Sequence, residues 1–93
     1  MTTSSRPVIP TDVGWTTDTD VLGLPRVMAA RLPGGPVVML AGVAATIWLS
    51  VADGATPLVA SVAEATGHPV ATVRADIEAF VDDLVGQRLL EYR

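Results

Sequence analysis

Short alternating stretches separated by turn formers fill the first part of the chain, and helical spacing fills the rest. Val13 and Trp15 alternate with Gly14 and Thr16 until Asp18-Thr19-Asp20 and Gly23-Leu24-Pro25 interrupt the run, which predicts a first strand. Arg26 to Leu32 alternates again and predicts a second. Pro33-Gly34-Gly35-Pro36 follows at once, and its two central glycines accept the positive φ of a tight hairpin turn. The third predicted strand, Val37 to Ala41, is apolar on both faces, so one face belongs to the core and the other needs a cover.

From Gly42 onward the period lengthens. Val43, Ile47 and Val51 recur at steps of four, with Ala44 and Trp48 beside them, and Asp53-Gly54 stops this first helix. Thr56 offers an N-cap hydroxyl and Pro57 suits the first helical position of a second helix, whose inward face is Leu58, Val62 and Ala65 and whose end is Gly67. His68-Pro69 opens a longer third helix with Val73, Ile77, Val81 and Leu84 as its inward stripe and Phe80 at the margin, ending at Gly86 or Arg88. Leu89, Leu90 and Tyr92 extend into a short final segment packed under the helices. The expectation is an α+β fold: an N-terminal three-stranded antiparallel sheet packed on a three-helix winged helix-turn-helix, with a flexible segment over residues 1–11 ahead of a domain over 12–93.

A length of 93 residues allows one core and no more. Hydrophobic residues make up 49% of the chain and charged residues only 17%, so it can close that core, and without cysteine it must do so by packing alone. The uncharged stretch Leu32 to Ala52 is interrupted by its Pro-Gly-Gly-Pro turn and leaves too short an apolar run to cross a bilayer. The first ten residues lack the features of a secretory signal, which points to the cytoplasm and to no membrane partner.

A winged helix-turn-helix usually suggests DNA, and charge argues against it. The third helix carries Asp76, Glu78, Asp82 and Asp83 against the single Arg74, and the whole chain has a net charge of -4. Phosphates would be repelled where a nucleic-acid binder needs Lys or Arg. An enzyme reading fares no better, because Cys and Lys are absent and the one histidine, His68, sits in a turn as a cap or solvated residue. Asp82 and Asp83 are adjacent on a helix, so their side chains diverge and cannot share a proton. Asp18 and Asp20 lack the run of oxygen ligands of a calcium loop, and Gly34-Gly35 lacks the lysine and helix start of a phosphate loop. No catalytic residue, cofactor or metal is expected. Trp48 belongs to the core, and Arg74 either pairs with Glu78 four residues on or aims at a partner's carboxylate.

What remains is the third strand. At a sheet edge its backbone invites a strand from another chain, with the long helix as the second wall of a groove and Val38, Leu40, Ile77 and Val81 lining apolar pockets. On this reading, Leu40→Asp or Val81→Asp abolishes peptide binding and leaves the fold intact.

The order of elements resembles the PqqD family, whose fold is also called the RiPP recognition element, RiPPs being ribosomally made and then modified peptides. The resemblance spans about Val13 to Tyr92. It is carried by Val38-Met39-Leu40 leading into Gly42-Val43-Ala44-Ala45-Thr46-Ile47-Trp48, by Ala52-Asp53-Gly54 and Thr56, and by the Val73, Ile77, Val81, Leu84 stripe ending in Leu89-Leu90. It implies a non-enzymatic adaptor that binds the leader of a precursor peptide as an added strand and presents it to a RiPP-modifying enzyme or leader peptidase. Val37, Val38, Met39 and Leu40 would then pair with the leader, while Arg74, Ile77, Glu78, Val81 and Asp82 would face it from the helix. Two positions depart from the family's pattern: Arg88 stands where relatives often have Gly, and Leu40-Ala41 precedes Gly42 where they often carry a polar cap. A DNA-binding regulator and a dimerising interaction module are the competing readings.

Overall fold

The computed structural model describes residues 6–55 and 57–93, so the Thr56 cap lies outside the described residues. Its elements run β1 (Pro7–Val8), β2 (Val13–Thr19), β3 (Pro25–Arg31), β4 (Val38–Ala41), α1 (Val43–Ala52), α2 (Leu58–Thr66), α3 (Val70–Gly86) and β5 (Glu91–Tyr92). The architecture is α+β with three helices and two antiparallel sheets. One sheet has the order β2-β3-β4; the other joins β1 to β5, at opposite ends of the chain. Sequence reading finds the three longer strands and misses this second sheet, because strands of two residues are too short to leave a period. Arg6 and Arg93 exchange backbone hydrogen bonds of 2.8 and 2.9 Å beside it. Residues 7 and 8, assigned from sequence to the segment ahead of the domain, are thereby paired to its end.

Alternation along β3 explains its place at the sheet's centre. Val27 and Ala29 are buried toward the helices, opposite Leu40 and Val38 of β4. β2 overhangs the core: only Val13 is buried, and Trp15 meets the ring of Trp48 edge-on at 6.0 Å. Directly opposed on β2 and β3, Asp18 and Arg26 form a two-pronged contact of 2.9 and 2.8 Å. The Arg26 hydrogen bond holds the Asp18 carboxyl below its ordinary range, a gain that is lost as the pH falls through that lowered value. The pair is exposed and contributes little to stability.

The two turns are built differently. Asp20 organises the β2–β3 tip by accepting backbone hydrogens from Leu22 and Leu24 at 2.8 and 3.0 Å. The β3–β4 connection is wider than a tight hairpin, spanning residues 32 to 37, and only Gly34 takes a positive φ. Gly35 is required for another reason: a Cβ there would stand 2.6 Å from the Arg31 carbonyl.

The core is a single cluster in which Ala45, Ile47, Trp48 and Val51 of α1 meet Val62 of α2, Val73, Ile77, Val81 and Leu84 of α3, and the inner sheet face. Ala65, assigned from sequence to the inward face of α2, is exposed, because the short α2 buries only Val62 fully. Pro57 and Pro69 stand at the N-cap positions of α2 and α3 with extended ψ, one residue before the helices start. α3 ends at Gly86, and Arg88 then adopts φ 62, the left-handed conformation that a side chain disfavours. Gly67 meets the same requirement at the end of α2 without strain. Arg88→Gly is therefore expected to stabilise the fold by about 0.5–1 kcal/mol, read as a higher urea midpoint with an unchanged slope.

Candidate functional site: the free edge of β4

β4 lies at one margin of the sheet with β3 on its inner side. Beyond the β3–β4 ladder, no backbone hydrogen bond engages residues 37–41 among the described residues, so the outer row of peptide groups faces outward. The strand's side chains divide by face. Leu40 is 7% exposed and belongs to the core, and Val38 is half-buried against it; Met39 is 61% exposed and Val37, just ahead of the strand, 69%. β2 offers the other margin, yet its first outward peptide group is already engaged, the Val13 N–H donating to the Pro10 carbonyl. The chain's own residues Arg6 to Thr11 also wall a hollow of about 680 Å³ beside β2.

Next to β4 is a hollow of about 480 Å³ lined by Arg31 to Pro36, Val38, Gln87 and Leu89. Its walls are the β3–β4 connection, the first residue of β4 and the residues just after α3. Sequence reasoning singled out Val38 and missed Arg31, Gln87 and Leu89. Val38 and Leu89, with Leu32, Pro33 and Pro36, make up its apolar lining.

The five α3 residues sit elsewhere. Arg74, Ile77, Glu78 and Val81 line a separate hollow of about 260 Å³ together with Pro7, Pro57, Leu58, Val59 and Tyr92, and no residue of β4 reaches it. Helical phase groups these side chains on one side of α3 but cannot say which neighbour they face. That neighbour is α2 and the β1–β5 pair. Ile77 and Val81 are 6% and 2% exposed, so they are core side chains whose edges floor this hollow. Arg74 and Glu78 share it without forming an ion pair.

Asp82 is exposed and accepts a hydrogen bond of 3.4 Å from the Tyr92 hydroxyl. Loss of water around the ring, and then the negative charges of Asp82 and Glu78, push the Tyr92 phenol above its usual range. The stability linked to this shift is present below the unfolded tyrosine pKa and fades as pH rises through the raised one. Tyr92 is the chain's one tyrosine, so its phenolate absorbance reports this directly. The midpoint is expected above that of free tyrosine in the native protein and lower in Asp82→Asn.

Exposed charge on α3 is mainly negative, with Asp76, Glu78, Asp82 and Asp83 all at the surface. Among the described residues no group of three or more His, Asp or Glu side chains is placed to hold a metal ion. No helix is long and apolar enough to cross a membrane. Residues 26–90 match the family described as Coenzyme PQQ synthesis protein D (PqqD), a stretch that runs from β3 to the residue before β5. No curated protein and no solved structure matches the chain significantly.

Proposed function

Since the chain belongs to the PqqD family, the family of RiPP recognition elements, we propose that it is a non-catalytic adaptor that binds a precursor peptide's leader on β4 and presents it to a modifying or leader-cleaving enzyme. Family membership alone suggests a peptide-binding accessory role in PQQ or RiPP biosynthesis. The finer reading rests on one observation: β4 is a margin strand whose outer peptide groups have no partner in the chain and whose first residue opens on an apolar hollow.

Strand addition needs both features. Each backbone hydrogen bond contributes about 0.5–1.5 kcal/mol net, while association costs at least about 4 kcal/mol in lost motion. A strand of four residues such as β4 barely offsets that cost through its backbone. The surplus must come from an apolar side chain entering the hollow between Val38 and Leu89, at about 1.5–3 kcal/mol for full burial. Val37, Val38, Met39 and Leu40 supply the pairing row in this proposal, and the α3 residues Arg74, Glu78 and Asp82 flank a second surface open to the partner enzyme. α2, the Gly67-His68-Pro69 connection and α3 serve as a winged helix-turn-helix scaffold, the acidic α3 surface disfavouring DNA.

The test is selection of binders from a displayed library of random peptides, followed by amide shift mapping with the best of them. The expected result is perturbation centred on residues 37–41 and 87–89. Binding to a DNA duplex that weakens steeply with salt, with no peptide selected, would favour a regulator instead. A concentration-dependent dimer that consumes the β4 edge would favour the self-pairing module.

A further inference from the structure

Arg31 is the one charged residue lining the hollow beside β4. Its guanidinium is incompletely used: Nη2 reaches Asp12 Oδ2 at 3.3 Å, and Nε is buried with no hydrogen-bond partner. Arg26, five residues earlier on the same strand, shows what a satisfied guanidinium looks like here, with Nε and Nη2 each within 2.9 Å of an Asp18 oxygen. The Arg31–Asp12 pair is longer, and both of its side chains are more than two-fifths exposed, so it gives way at little cost. A buried guanidinium nitrogen without a partner is expensive, and a carboxylate that the group can turn toward would relieve it.

We infer that the hollow selects peptides in which an acidic side chain stands two residues from the apolar side chain it buries, Arg31 being the group that reads the acid. The inference rests on the strand-addition reading and names the ligand chemistry of that same site. The spacing follows from register. Ala29 lies opposite Val38, and Arg31 is two residues further along β3 on the same face. An added strand repeats that alternation, so its side chain level with Val38 enters the hollow, and the next one on that face, toward the β3–β4 connection, comes level with Arg31. Two strand spacings, about 10 Å, separate the added strand from β3, a gap that an extended arginine and a carboxylate side chain close from both sides. If the peptide runs antiparallel to β4, the acid lies two residues after the apolar anchor; if parallel, two residues before it.

The experiment repeats the displayed-peptide selection with the wild type, Arg31→Gln and Asp12→Asn, and then measures affinities of the enriched peptides at two salt concentrations. Wild type is expected to enrich Asp or Glu at one fixed position relative to an apolar residue. Arg31→Gln keeps the apolar preference, loses the acidic one, and binds the wild-type peptides about tenfold more weakly with a smaller salt dependence. Asp12→Asn, which removes the competing carboxylate, binds them more tightly. Apolar enrichment without an acid in the wild type, or the same acidic enrichment in Arg31→Gln, overturns the inference and leaves strand addition standing. Failure to enrich any peptide overturns both.

Discussion

Val81→Asp is expected to unfold the domain at neutral pH, with Leu40→Asp acting in the same direction. Val81 is 2% exposed and packs in the core between α3 and its neighbours, and Leu40 is 7% exposed beneath the sheet margin. The side chains that sequence alone assigns to a groove are therefore part of the core, and the expectation that these variants keep their fold is reversed. An unpaired carboxylate at such a place stays neutral only by raising its pKa by about 3–5 units, at about 1.4 kcal/mol per unit. Losing the buried isopropyl group adds about 1.5–3 kcal/mol. The sum, about 5 kcal/mol or more, is comparable with the whole stability of a domain this size, about 5–14 kcal/mol. Because the folded-state pKa is raised, the ionisation part of the penalty vanishes below the unfolded aspartate pKa of about 3.9 and grows as the pH climbs, while the packing loss persists at every pH. Far-ultraviolet circular dichroism should show an unfolded or marginal Val81→Asp chain at neutral pH that recovers structure under mild acid. A variant as stable as the wild type at neutral pH would place Val81 on an open surface.

That reversal marks how far sequence carries the argument. Period is legible: the alternation of Arg26 to Leu32 and the four-step spacing of Val73, Ile77, Val81 and Leu84 correspond to β3 and α3. The identity of the core is legible too, since Trp48 is fully buried where its helical neighbours predict it. What period cannot supply is the azimuth of one element against another. A stripe along α3 is apolar whether its margin opens toward β4 or toward α2, and the structure turns Arg74 and Glu78 toward Leu58, Val59 and Tyr92. The hollow beside β4 draws on Arg31, Gln87 and Leu89, which lie in three different contexts along the chain, a strand end, a helix cap and a loop, and share no period. The pairing of Pro7–Val8 with Glu91–Tyr92 was hidden for a related reason: two-residue strands are fixed by tertiary closure and carry no local signal.

Two apolar surfaces then remain distinct on one small molecule. The β4 hollow sits at the connection end of the sheet, whereas Val21, Leu22 and Leu24 are exposed at the opposite end, held there by the Asp20 hydrogen bonds. Under the strand-addition proposal, separation of this kind would leave the β2–β3 tip and the acidic face of α3 uncovered by a peptide on β4.

Val38→Asp is the change expected to weaken peptide binding most while preserving the fold. Val38 is half-buried at the rim of the core and lines the β4 hollow, so in the free protein its carboxylate keeps water at the mouth. Entry of an apolar side chain removes that water. Partial desolvation of one carboxylate costs about 2 kcal/mol or more, which corresponds to about a 30-fold loss of affinity. The matched control is Glu78→Gln in the other hollow, expected to change affinity less than about twofold, because no residue of β4 lines that surface. Fluorescence titration with a library-selected peptide measures both, and thermal melts confirm that each variant is folded. Were Glu78→Gln to abolish binding while Val38→Asp left it intact, the peptide would belong in the hollow between α2 and α3, and β4 would be a margin without a guest.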